Sequence, residues 1–207
     1  MNAFPLTVQP NGTMLVDTEY PQARACLAAL QGFARITAYT GRYVRARLDR
    51  TTLWSAAATG MTASDVVATL TAHAGVLDAT VEQTIHTLMA RWGALVLRGS
   101  ADALTLEVHD PLGALVLLRD PRLHVVFADA YAPDVYRVDT TQRGIIKQLL
   151  AARGWPIIDS AGVHDGAALA LRWNGTVALY PYQTDAVAAA IAQTHGVVVL
   201  PPGSGKT

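Results

Sequence analysis

The sequence predicts an α+β protein made of several small units, and three observations carry that prediction. Within the first 50 residues the apolar pattern runs at strand period, then helix period, then strand period again. Residues 51–92 next read as short helices and residues 94–108 as two short strands. The chain then reaches an apolar run at 197–200 that feeds a glycine loop. Helices and strands are mixed without the regular strand–helix alternation of a parallel sheet, and that selects the α+β class.

Taken in order, residues 6–8 and 14–16 flank Pro10-Asn11-Gly12, a turn signal between two short apolar runs, which predicts a hairpin. From Pro21 the period changes: Ala23, Cys26, Leu27 and Leu30 fall at three-to-four spacing, and Gly32 closes the helix. Residues 42–48 alternate, with Val44, Ala46 and Leu48 on one face and Tyr43, Arg45 and Arg47 on the other. This is a half-buried strand with a basic, aromatic outer face.

Glycines at 60 and 75 break the helical stretch that follows. Thr62 or Ser64 can cap a helix through Val66, Val67 and Leu70, and Thr80, with Gln83 at capping-box spacing, can cap another through Ile85, Leu88 and Met89. Strand-like runs at 94–97 and 104–108 come next, so residues 51–110 have the outline of a winged-helix-like unit, three helices and a two-stranded wing. Beyond Asp110-Pro111, residues 135–138 read as a strand and 141–153 as a helix stopped by Gly154 and Pro156. Residues 167–171 read as a strand, 183–192 as a helix and 196–200 as a buried strand. The expected division is 1–50, a small α/β unit; 51–110, winged-helix-like; 111–176, a small α/β accessory unit; and 177–207, the start of a nucleotide-binding domain.

Composition narrows the class of protein. Of 207 residues, 51% are hydrophobic and 15% charged, a globular balance. Sixteen basic residues match sixteen acidic ones, so any nucleic-acid contact must come from a local patch. The single cysteine, Cys26, has no partner for an internal disulfide and reads as a small buried hydrophobe. No secretory leader is visible, and the apolar runs fall far short of the ~20 residues that span a bilayer, so the expected setting is cytoplasmic with no membrane contact.

The chemistry concentrates in Gly203-Ser204-Gly205-Lys206-Thr207. After a β-branched strand, glycines let backbone N–H groups turn around phosphate oxygens, a lysine reaches the outer phosphates, and a threonine hydroxyl holds Mg²⁺. The strict phosphate-loop pattern requires glycine where this chain has Leu200; the relaxed form is met. Upstream, Leu179-Tyr180-Pro181-Tyr182-Gln183 precedes a helix.

These two segments together resemble the opening of XPB-type DNA helicases of superfamily 2, the bacterial members in particular. The similarity extends back through Pro5-Leu6-Thr7-Val8-Gln9, Leu53-Trp54-Ser55-Ala56-Ala57, Met89-Ala90-Arg91-Trp92-Gly93, and Arg143-Gly144-Ile145-Ile146-Lys147-Gln148-Leu149-Leu150 with Gly154-Trp155-Pro156. One departure is Tyr180, where the family usually has an arginine near the adenine.

The resemblance implies an ATP-dependent 3′–5′ DNA helicase or translocase linked to duplex opening and repair, with a RecA-like motor beginning at the final strand and loop. It implies ATP and Mg²⁺ as cofactors, with Gln183 on the adenine edge, Gly203, Ser204, Gly205 and Lys206 on the phosphates, and Thr207 on the metal. DNA and a repair nuclease or other repair protein are the implied partners. The acidic Mg²⁺ motif and arginine finger of such motors do not fit within this chain, so it is expected to hold no complete catalytic set. The rival reading is a stand-alone winged-helix module, binding DNA or protein, with a vestigial loop.

For DNA contact, the helix near 80–92 brings only Arg91 as a base, so packing or motor regulation is the better reading of residues 51–110. The Tyr43, Arg45 and Arg47 face, with Arg42 and Arg50 nearby, combines stacking with phosphate neutralisation and is the stronger candidate, against the alternative of a solvated strand surface.

Overall fold

The hairpin expected at the start forms around Gly12. Its φ is +79°, its carbonyl accepts from Leu48 N at 2.9 Å, and a Cβ there would stand 2.7 Å from Leu48 O, so only glycine fits. The computed structural model describes residues 4–100, 102–111, 121–124, 127–162, 170, 175, 178–193 and 197–205. Strands β1 (Leu6–Val8) and β2 (Thr13–Asp17) pair antiparallel with Leu6 opposite Val16. Helix α1 (Ala23–Leu30) buries Ala23, Cys26 and Leu30, the face its spacing predicts.

The chain then forms β3 (Arg35–Thr40), turns at Gly41, and returns as β4 (Tyr43–Arg47), which inserts between β2 and β3. Sequence reading finds β4 and misses β3. The reason is physical: β3 is an edge strand with a bulge between Ile36 and Ala38, and it buries too little to leave an alternating pattern.

Three helices follow, α2 (Arg50–Ala58), α3 (Ala63–Ala74) and α4 (Ala79–Ala90). Asp49 and Thr52 form a capping box on α2, and Thr62 with Asp65 forms one on α3. For α4 the cap is Asp78 and not Thr80: the Asp78 carboxylate accepts from Thr80 N at 2.7 Å, which draws Thr80 into the helix. Leu53, Val66, Leu70, Val81, Ile85 and Met89 meet Leu6, Met14, Val16, Val44 and Ala46 of the sheet in one hydrophobic core.

A second core begins at Ala94. Strands β5 (Leu95–Gly99), β6 (Leu104–Val108), β7 (Phe127–Ala132), β8 (Val135–Val138) and β9 (Ile158–Asp159) form a sheet in the order β7-β8-β6-β5-β9, with β5 and β9 parallel and the other pairs antiparallel. A helical turn, α5 (Pro121–His124), and helix α6 (Arg143–Ala152) accompany it, and Leu95, Leu97, Leu106, Leu123, Ile146, Leu150 and Trp155 fill this core. Residues 51–110 therefore do not pack as one winged-helix-like unit. A wing has solvent at its edge, whereas β5 buries Leu95, Val96 and Leu97 in succession and lies between β6 and β9.

By contact density the chain divides into Met1–His164, which holds both cores, and Asp165–Thr207. Described residues of the latter comprise helix α7 (Pro181–Gln193) and the segment 197–205. The strand expected at 196–200 does not form over its described residues, 197–200: Val197, Val198 and Val199 are 89%, 53% and 86% exposed, and no described strand pairs with them. An apolar β-branched run becomes a strand only when a ladder satisfies its backbone. Apart from Ala170, the strand expected at 167–171 lies outside the described residues, as do Lys206 and Thr207. Among the described residues, no helix is long and apolar enough to cross a membrane.

The start of α6 is tied to β9 by charge. Arg143 donates to Asp159 through Nε at 3.0 Å and Nη2 at 2.8 Å, and Lys147 Nζ donates to it at 2.7 Å. Burial alone would raise the Asp159 pKa, but the bonds from Arg143 and Lys147 outweigh it and hold the value near about 2, below its ordinary 3.8. A depressed carboxylate contributes stability that is present above the unfolded pKa and lost as pH falls through the folded one. The parent's stability against chemical denaturation should therefore fall by on the order of 2 kcal/mol as pH drops from about 4 to about 2. Asp159→Asn should be less stable at neutral pH and flatter across that window; an unchanged acid limb would refute the assignment.

Candidate functional site

In Asp165–Thr207, the glycine loop and the start of α7 are in contact. Pro181 opens α7, where its missing N–H costs nothing, and Gln183 Oε1 accepts from Tyr180 N at 2.9 Å in the manner of a capping box. The same side chain reaches the loop: Gln183 Nε2 donates to Ser204 O at 3.2 Å and to Gly205 O at 2.8 Å. Tyr182 Oη also donates to Ser204 O, at 2.9 Å, and its ring stacks on Tyr180 with centroids 5.6 Å apart.

The loop's backbone needs its glycines. Gly203 and Gly205 have φ of +79° and +67°, and a Cβ on Gly205 would lie 3.0 Å from Gln183 Nε2. The Ser204 hydroxyl is buried with no hydrogen-bond partner among the described residues. A cavity of about 410 Å³, walled by Leu179, Gln183, Ala186, Val187, Val198, Leu200 and Gly205, lies alongside. Left-handed glycines and an unpaired hydroxyl fit a phosphate cradle, and the apolar wall fits a flat base. The structure thus brings Gln183, Ser204 and Gly205 together, with Gln183 engaged by the loop's own carbonyl oxygens.

The second candidate surface is the outer face of the first sheet. Strand β4 alternates as expected: Val44 and Ala46 are 3% and 0% exposed, and Tyr43, Arg45 and Arg47 face outward. Register places Tyr43 opposite Asp17, Arg45 opposite Leu15 and Arg47 opposite Thr13. No ion pair forms at Arg45 or Arg47 among the described residues, whereas Arg35, at the β3 edge, pairs with Asp49 at 2.6 Å.

The two neighbouring arginines are differently used. Arg42 grips Asp17 through Nε at 2.8 Å and Nη2 at 2.5 Å, pairs with Glu19 at 2.9 Å, and stands 5.6 Å from the Tyr43 ring centroid. Its hydrogen bond holds the Asp17 carboxyl below its usual range. Arg50 turns away and donates to Ala152 O at 2.9 Å. A cavity of about 540 Å³ opens beside Tyr43, and neither it nor the role of Asp17 is legible in the sequence. The one available signal is a lone acid at the end of an apolar strand, opposite a basic one.

Residues 6–130 match the protein family described as helicase conserved C-terminal domain; in this chain the matched residues precede the glycine loop. Along its whole length the chain is 38% identical over 217 residues to the DNA 3'-5' helicase XPB of Kineococcus radiotolerans. It is 34% identical over 212 residues to the protein of the same name from Mycobacterium tuberculosis. The chain spans 38% of the length of each of these relatives.

Gly205→Ala should detach the glutamine, because a Cβ at that position meets its amide and the backbone there is left-handed. The Gln183 side-chain amide resonances should move in a ¹H–¹⁵N spectrum while the melting temperature stays the same. Unmoved resonances would show that the loop does not hold this side chain.

Proposed function

Because this chain belongs to the family of the helicase conserved C-terminal domain and is related along its length to bacterial XPB helicases, we propose that it is the accessory region leading into an ATP-driven 3′–5′ DNA translocase. The observation that supports this reading is the contact between Gln183 and the loop residues Ser204 and Gly205, which brings together the side chain proposed for adenine and the loop proposed for phosphate. In this reading Gly203, Ser204, Gly205 and Lys206 receive the phosphates of ATP, Gln183 leaves the loop carbonyls for the adenine edge, and Thr207 holds Mg²⁺. Bound ATP would supply the phosphoanhydride whose cleavage drives movement. The residues of this chain bind and orient it.

Hydrolysis needs an acidic group for Mg²⁺ and water and a cation for the transition state. Among the described residues, the side chains lining the cavity beside the loop supply neither. By themselves the 207 residues are expected to release no more phosphate in the presence of DNA than their Lys206→Ala variant. DNA-stimulated release above that control would overturn this part of the reading.

Tyr43, Arg45 and Arg47 are the proposed DNA contacts. They stand on a central strand whose inner face is locked into the core, so the cations are held at fixed spacing, and among the described residues neither arginine is spent on a carboxylate. A repair nuclease or another repair protein is the partner class that this reading carries. Each phosphate neutralised contributes roughly 0.9 to the slope of log affinity against log salt on duplex and roughly 0.7 on single strands. Arg45→Ala/Arg47→Ala should lower that slope by about twice these values; an unaltered slope would remove the face from consideration.

A further inference from the structure

We propose that the cavity beside Tyr43 receives one unstacked base of a single-stranded nucleic acid, with adenine or cytosine preferred over thymine, while the strand's backbone runs along Arg45 and Arg47. This rests on the DNA reading of the β4 face and adds to it the state of the strand and the identity of the base. The cavity, about 540 Å³, is of a size that encloses small ligands. Its walls are rings: Phe4, Tyr20 and Tyr43, with Pro5 and Pro21. Tyr43 is 42% exposed and already carries the Arg42 guanidinium at 5.6 Å, the type of platform on which bases stack without regard to sequence.

The polar groups of the cavity supply the preference. Each of the three nitrogens of Arg42 gives one bond to Asp17 or Glu19, which turns the guanidinium toward those carboxylates. The remaining lone pairs of those two carboxylates can only accept, so they favour a base that brings a donor. Adenine and cytosine present an exocyclic amino group on their pairing edge; thymine presents there a single N3–H flanked by two carbonyl oxygens, which the carboxylates repel. A duplex hides these edges, and a concave site reaches them only in a strand whose bases are free to splay out.

The cavity is continuous with the cationic track. Leu15 lines it and lies opposite Arg45, so the first arginine without an ion pair among the described residues stands where the cavity ends. Arg47 follows two residues on, roughly 7 Å further along the strand. An anionic polymer satisfies both features at once, whereas an aromatic side chain of a protein would fill the cavity and leave the arginines unmatched.

The test is fluorescence anisotropy of the 207-residue chain with labelled homopolymers of deoxyadenosine, deoxycytidine and deoxythymidine and with a duplex of the same length, across a salt series. The parent should bind the first two strands roughly tenfold more tightly than the third, and more tightly than the duplex. Tyr43→Ala should weaken them roughly tenfold without changing the salt slope, and Tyr43→Phe should restore binding because the ring returns. Equal affinity for all three homopolymers, or a Tyr43→Ala variant that binds as the parent does, overturns the base site. If in that case Arg45→Ala/Arg47→Ala still lowers the salt slope, the DNA face stands without the cavity. If no strand binds the parent in a salt-dependent way, both fall. The ranking of bases on the parent does not depend on any variant folding.

Discussion

Two arginines hold the carbonyl end of α6, and through it the arrangement of the two cores in Met1–His164. A helix leaves its last carbonyl oxygens unsatisfied and its C-terminus partly negative. Here Arg50, from the first turn of α2, donates to Ala152 O at 2.9 Å, and Arg91, the C-cap of α4, donates to Gly154 O at 3.1 Å. The Arg91 guanidinium also lies 4.9 Å from the ring centroid of Trp155, which is itself 7% exposed in the second core. Both cations come from helices of the first core and both acceptors belong to the second. Gly154, at φ +83°, has no Cβ to push Arg91 Nη1 away; one would stand 2.8 Å from it. The block from Arg143 to Pro156 thus carries at its two ends the bonds to β9 and to the helices of the first core.

The outer sheet face follows from a simpler constraint. With β2 on one side and β3 on the other, β4 has no freedom of register, since a slip of one residue would put Arg45 in the core and Val44 in solvent. The cation spacing on that face is thus set by packing underneath it. Asp17 extends the same logic to the cavity: it is 9% exposed yet neutralised by a two-pronged guanidinium, which leaves the pocket polar without an uncompensated buried charge.

The glycine loop shows a different balance. Its need for glycine at 203 and 205 was legible from residue types and order, whereas the bonds from Gln183 to the loop carbonyls, 21 and 22 residues away, were not. The strand expected before it was not obtained, because Val197, Val198 and Val199 carry β propensity but have no described ladder partner. Propensity describes how a side chain suits a pleated surface and cannot supply the surface.

By itself the sequence determined the α+β class, most helices and strands, their buried faces, the outward direction of Tyr43, Arg45 and Arg47, and the family, since each depends on periodicity, capping or residue order within a few positions. The strands β3, β7 and β9 were hidden, being edge strands of their sheets. Only the tertiary structure decided which elements share a core. It placed α2–α4 on the first sheet and β5–β6 in the second, drew Arg42 onto Asp17 and Glu19, and sent Arg50 to the end of α6. Four arginines near one strand look alike in a sequence; which remain available depends on carboxylates and carbonyls that lie up to 102 residues away.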